Sequence, residues 1–282
     1  MTLVNAKKVL KDAQAGRYAL GAFNVTTLEA VRGVIAAAEE KNSPVIIEFA
    51  EVHKDIISLK TIGPIMIQAA KEASVPVVVH FDHGKSFQLI LEALKMGFTS
   101  VMIDGAALPY TENVAVTKKV VEVAHALGAT VEGELGTVLD ASAKKTTEDL
   151  YTDPEVADDF IKKTEVDLLA VSFGTAHGLY IEKPHLDFQR LAKISQSTPV
   201  PLVMHGGSGL SNAEYQEAIA NGICKINYYS DLANRVAKEL TAKLIEAQKN
   251  NLDTYIHDIS TWSIEIIRKD AIEKMKVFGS AK

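Results

Sequence analysis

The chain of 282 residues has a single cysteine, Cys224, which excludes an internal disulfide and every zinc cluster built on several thiolates. No excess of positive charge is present. The formal net charge is −6 at pH 7, which argues against a general nucleic-acid binder or a membrane-surface protein, since both display a basic patch or stripe. No apolar run approaches the ~18 residues that span a bilayer, and no low-complexity segment interrupts the chain. The start, MTLVNAKKVLKDAQ, reads as an amphipathic polar helix without the apolar stretch of a secretion signal, so a reducing cytoplasm is the expected location. What is there is ample apolar material: 47% of the residues are hydrophobic and 23% charged, a composition that fits one large domain over 1–282.

Eight short apolar runs alternate with longer stretches of helical period. They are ALGAFNV (19–25), PVIIEFA (44–50), PVVVHFD (76–82), TSVMID (99–104), ATVEGEL (129–135), DLLAVSF (167–173), PLVMHG (201–206) and ICKINY (223–228). Helical stretches such as 28–41 and 112–128 lie between them, and two more, 231–248 and about 262–276, close the C-terminal part. Eight strand–helix units predict a (β/α)8 TIM barrel with extra C-terminal helices, ahead of a doubly wound open sheet.

In such barrels the site is built at the carboxyl ends of the strands. Those ends carry Asn24, Glu48, Glu51, Asp82, His83, Asp104, Glu132, Glu134, His177, His205, Asn227 and Ser230. His83, His177 and His205 come from three different strand ends, each beside a glycine, and three histidines with one open position suit a catalytic zinc acting as a Lewis acid. Any one of them alone is as well explained as a polar cap on a strand; the three together are not. Asp82 is either a partner that orients a ligand or a general acid–base. The turns HGGSGLS (205–211) and INYYSD (226–231) aim backbone N–H groups at the space above the last two strands, where barrels bind phosphate. Ser208 and Ser230 add hydroxyls there, whereas Ser211 reads as a helix N-cap.

Taken in order, GAFNV, HFDHG, GFTSVMIDGA, VEGELG, GTAHGLY, LVMHGGSG and KINYYSD resemble the class II, zinc-dependent fructose-bisphosphate and tagatose-bisphosphate aldolases. The resemblance runs from about residue 3 to about residue 235, and GTAHGLY followed by PHLDFQRLAKI looks closer to the tagatose branch. It implies reversible cleavage of a ketose 1,6-bisphosphate to dihydroxyacetone phosphate and an aldehyde such as glyceraldehyde 3-phosphate. His83, His177 and His205 would hold Zn2+, with Asp104 and Glu134 at an alternative metal position and Glu132 behind the ligands. Asp82 would move the proton on the hydroxyl at the bond formed or cleaved. The substrate would lie on Asn24, Gly178, Gly206, Gly207, Ser208, Asn227 and Ser230, with a monovalent cation (Na+ or K+) near its phosphate. A homodimer or homotetramer is expected by the same likeness.

The chain also departs from the family. The segment GTVLDASAKKTTEDLYTDP lacks the double glycine of the loop that moves a proton at the donor carbon, leaving Asp140, Glu148 and Asp149 as candidates. NNLDTYIHDISTW (250–262) stands where relatives have Asp-Pro-Arg, and EFAEVHKDI (48–56) replaces a serine-containing stretch. The donor side reads as intact and the acceptor side as remodelled. Two alternatives keep the fold: an aldolase of the same family acting on another ketose 1-phosphate, or a non-catalytic phosphosugar-binding relative. An amidohydrolase-type barrel would need an HxH pair ending the first strand, where AFNVT stands.

Overall fold

A computed structural model describes residues 2–136, 138, 151–180 and 184–282. The eight apolar runs become strands β1 (Leu20–Asn24), β2 (Val45–Ala50), β3 (Val77–Gly84), β4 (Ser100–Ile103), β5 (Thr130–Leu135), β6 (Leu168–Val171), β7 (Leu202–Met204) and β8 (Ile223–Asn227). All pair in parallel with their sequence neighbours, and β8 returns to β1, closing the barrel. The open-sheet alternative is thereby set aside. Around it run α2 (Leu28–Glu40), α3 (Leu59–Glu72), α4 (Phe87–Met96), α5 (Tyr110–Ala126), α6 (Pro154–Thr164), α7 (Phe188–Ser197), α8 (Asn212–Ala220) and α9 (Ser230–Lys249). A last helix, α10 (Ile256–Val277), packs on α2 and α9 and starts six residues earlier than its sequence pattern suggests, because Asp258 reaches back to the N–H of Tyr255. Among the described residues no helix is long and apolar enough to cross a membrane.

The first helix, α1 (Ala6–Gly16), belongs to none of the eight units. Its buried stripe, Ala6, Val9, Leu10 and Ala13, recurs at helical spacing and closes the amino-terminal mouth of the barrel. There it meets Leu20, Ala22, Ile46, Val78, Leu168, Ala170, Val203 and Cys224, a small inner core distinct from the larger one between strands and outer helices.

Because side chains alternate along a strand, every second residue of each strand points inward. Reading upward, the interior is therefore layered. The lowest layer is apolar; the next holds Glu48, His80, Ser100, Glu132 and Lys225, all buried; the rim holds Asn24, Asp82, Glu134, His205 and Asn227. Two register shifts disturb the alternation, one between Phe81 and Gly84 on β3 and one where β7 pairs with β8 around Cys224. The second returns Lys225 and Asn227 to the inside.

Candidate active site

Above the carboxyl ends lies a cavity of about 1030 Å³ reached by residues at or after all eight strand ends, Asn24, Ala50, Asp82, Asp104, Glu134, His177, Gly206 and Asn227 among them. Strict alternation would turn His83 outward, since Asp82 before it points in. His83 instead has φ 46°, in the left-handed region that non-glycine residues avoid, and sits in the register shift of β3. The bend brings two consecutive residues to one rim.

His83, His177 and His205 each offer a ligand atom, and the three atoms lie within 4.8 Å of one another. The ring of His83 is 4.5 Å from that of His205 and 4.9 Å from that of His177, centroid to centroid. Nε2 of His177 and Nδ1 of His205 are buried without a hydrogen bond, the latter 3.4 Å from Glu134 Oε2. Two such nitrogens, in a group of three imidazoles that converge from three strand ends, fit a metal ion. His205 Nε2 lies 2.8 Å from Glu132 Oε1; a carboxylate only accepts, so Nε2 carries the hydrogen and Nδ1 is the atom left for an ion. His83, Asp104 and Glu134 form a second group within 4.8 Å, with His83 Nδ1 3.2 Å from Asp104 and 3.9 Å from Glu134. The two groups share His83.

Without an ion the triad is electrostatically uneven. Burial, reinforced by the charges of His83 and His205, pushes the pKa of His177 down to about 3. Burial also disfavours charge on His205, but its contacts with Glu132 and Glu134 outweigh that and raise its pKa well above the usual imidazole value.

Asp82 is fully buried, and its two oxygens accept one hydrogen bond each, 3.1 Å from Asn24 Nδ2 and 3.1 Å from Asn227 Nδ2. Burial would favour the neutral acid. The nearby positive charges of His83 and Lys225 reverse this and hold Asp82 well below the usual carboxylate range, so it is an anion at neutral pH.

Beneath this rim, Lys225 Nζ lies 2.9 Å from Glu132 Oε2 and 3.4 Å from Glu48 Oε2. Burial opposes both partners' charges, but Lys225 and the hydrogen bond to His205 bring Glu132 down to about 2. Glu48 goes the other way: burial and the repulsion of Asp82 raise it to about 8, past what Lys225 offsets. His80 bonds Ser100 Oγ at 2.8 Å, and burial lowers its pKa to about 3. Glu48, His80 and Asp82 also come within 4.8 Å of one another, but the Lys225 ammonium already supplies the cation there. Glu132 thus ties a candidate ligand to a buried ammonium.

Directly after His177 and His205 in the chain, and after β8, Gly178, Gly206, Gly207, Ser208 and Ser230 line the same cavity. Gly206 has φ 64°, and a Cβ there would stand 2.3 Å from the carbonyl oxygen of Ala176, so only glycine lets the β6 and β7 loops approach this closely. Tyr180 ties those loops together, its hydroxyl accepting from Ala176 N and donating to Gly206 O. Ser208 Oγ accepts from the N–H of Tyr229 at 3.2 Å, and Ser230 opens the 20-residue α9, whose first N–H groups face the same end. Ser211 is the N-cap of α8, in a reciprocal capping box with Glu214.

One rim assignment needs correction: Glu48 lies one layer below the rim. Glu51 lines the cavity, and one of its oxygens accepts the N–H groups of Lys85 and Ser86 at 2.8 and 3.0 Å, in the turn that leads to Ser86, the N-cap of α4. Glu51→Ala, which leaves both N–H groups without that acceptor, is expected to cost about 1–2 kcal/mol of stability, read as a lowered midpoint in thermal unfolding. Lys225 and His53, both absent from the sequence-based set, do belong to the site; a lone lysine in a strand gives no local sign that its partners sit on β2 and β5. Asp140, Glu148 and Asp149 lie outside the described residues.

The sequence model of the family described as "Fructose-bisphosphate aldolase class-II" matches residues 4–282. A fructose-bisphosphate aldolase of Geobacillus stearothermophilus is 38% identical over an alignment of 294 residues, covering 100% of this chain and 98% of that protein. The uncharacterized protein YdjI of Escherichia coli K12 is 37% identical over 273 residues, 95% of each chain. The crystal structure titled as the YdjI aldolase superposes with a TM-score of 0.87 at 35% identity, covering 99% of this chain and 98% of that one. With the fold, the full-length match and the full-length relatives in agreement, the chain belongs to the class II fructose-bisphosphate aldolase family.

Proposed function

We propose that this class II aldolase reversibly cleaves a ketose 1,6-bisphosphate of the fructose or tagatose type to dihydroxyacetone phosphate and an aldehyde such as glyceraldehyde 3-phosphate, with Zn2+ held by His83, His177 and His205. The observation that carries the reading is the placement of an anionic Asp82, gripped by two asparagine amides, in one cavity with three converging imidazoles and the glycine loops. When bound, the metal supplies a Lewis acid for the donor carbonyl. Asp104 and Glu134 offer the alternative ion position.

In cleavage, Asp82 takes the proton of the C4 hydroxyl as the C3–C4 bond breaks; the C4 oxygen becomes the aldehyde carbonyl and the electron pair stays with the donor fragment. In synthesis Asp82 returns that proton. Asn24 and Asn227 keep its carboxylate aimed, and Asn227 also faces the substrate. Gly178, Gly206, Gly207, Ser208 and Ser230 receive the donor phosphate through N–H groups and hydroxyls, helped by the N-terminus of α9. A monovalent cation belongs near that phosphate, and the proton at the donor carbon is assigned to the segment of Asp140, Glu148 and Asp149, all on the family likeness. Assembly as a homodimer or homotetramer and a cytoplasmic location rest on the same likeness. Lys225 is not a Schiff-base nucleophile, because two carboxylates hold its ammonium and raise its pKa.

One observation favours an acceptor other than glyceraldehyde 3-phosphate: the end of β2 presents Ala50 and His53 to the cavity. The test is cleavage of fructose 1,6-bisphosphate, tagatose 1,6-bisphosphate and the two corresponding 1-phosphates, each with and without a chelator and after zinc is restored. Chelator-sensitive release of dihydroxyacetone phosphate from a bisphosphate supports the proposal. Release from a 1-phosphate alone moves it to another ketose phosphate, and no release from any leaves the non-catalytic reading.

A further inference from the structure

The 3₁₀ turn Glu51–His53 carries the chain off the top of β2, next to the reacting carboxylate, since Ala50 pairs with Asp82 in the β2–β3 register. His53 is half-buried there and lines the cavity. Its ring lies 4.6 Å from that of Tyr229, at 49° between planes. Tyr229 stands between Asn227, which holds Asp82, and Ser230, and its N–H is fixed by Ser208. The imidazole is therefore braced by the very loops assigned to the donor phosphate.

Among the described residues no group hydrogen-bonds either ring nitrogen of His53, and Nδ1 is buried. An unpaired buried nitrogen is costly, and one that faces a cavity is open to a polar group that enters it. Asp82 and His83 lie within electrostatic reach, but burial is the larger influence and lowers the pKa of His53. At neutral pH the ring is thus uncharged, one nitrogen donating and the other accepting. That complement suits a hydroxyl, which does both, better than an anionic group.

We infer that His53 is the specificity residue of the acceptor half, hydrogen-bonding a hydroxyl of the incoming aldehyde, a 2-hydroxyaldehyde by chemical class, while Tyr229 holds the ring in place. The inference rests on the aldolase reading above, and two assays separate them. Exchange of dihydroxyacetone phosphate protons with D2O, without aldehyde, reports the donor half alone; condensation with glycolaldehyde or with propanal reports the acceptor half with and without the hydroxyl. In zinc-loaded enzyme, His53→Ala is expected to lower glycolaldehyde condensation relative to exchange by about tenfold, the worth of one hydrogen bond, and propanal condensation far less. His53→Gln, which keeps a donor and an acceptor, should regain part of the loss.

If His53→Ala lowers all three rates by the same factor, or leaves the preference for glycolaldehyde intact, His53 only packs and the inference falls. It falls too if the native enzyme exchanges protons yet shows no preference for glycolaldehyde or condenses neither aldehyde. A native enzyme that does not exchange donor protons overturns the aldolase reading itself.

Discussion

Zinc-loaded Asp82→Asn is expected to cleave its ketose phosphate about 10³-fold more slowly than the native enzyme, at unchanged metal content. The substitution keeps size and shape, so neither the fold nor the histidines need move. It removes the anion that accepts the hydroxyl proton, and it places an amide opposite two amide donors, Asn24 Nδ2 and Asn227 Nδ2, of which at most one can still be accepted well. Metal analysis and single-turnover cleavage together decide the matter. A variant that keeps its zinc and its rate would show that the proton goes elsewhere; one that loses both would show that Asp82 shapes the metal site.

Lys225→Met is expected to lower the thermal midpoint by about 10 °C. Methionine fills a similar volume without charge, so the loss comes from the buried Glu132 carboxylate, which keeps only its bond to His205. Breaking a buried pair this way costs about 3–5 kcal/mol, and a chain of this size shifts by roughly 2–4 °C per kcal/mol. The pH dependence identifies the cause. Native Glu132 is held at about 2, below its unfolded value, so its contribution is present above the unfolded pKa and fades as pH falls toward 2. Without Lys225 its folded pKa rises, and the deficit should be largest near pH 8 and shrink near pH 4.5, as the carboxylate protonates. Scanning calorimetry at both values measures this; an equal deficit would point to packing instead.

The strands were legible because parallel barrel strands are buried on both faces and read as unbroken apolar runs, each ending in polar or glycine residues. Ser211 was legible because its capping box is local. The three histidines stood out because each ends a run beside a glycine, and the chain indeed folds them together. What local pattern cannot carry is partnership across the barrel. Lys225 takes its meaning from Glu48 and Glu132, 177 and 93 residues away, and the register shift that turns it inward leaves no mark in ICKIN. The bonds that Glu51 makes at the rim are hidden for the same reason: its partners, the N–H groups of Lys85 and Ser86, are 34 and 35 residues on. The inward turn of His83 depends on a backbone angle, not on residue type.

The layering of the barrel interior bears on how such an enzyme changes over generations. Its lower half, stoppered by α1 and filled with aliphatic side chains, holds the strands together whatever happens at the mouth. The turn after β2 is three residues of 3₁₀ structure that carries His53 yet contributes nothing to that inner core. On the acceptor role inferred for His53, substitution at that one position trades one aldehyde for another and leaves the inner core untouched, so a lineage can drift in acceptor while its donor chemistry is inherited intact.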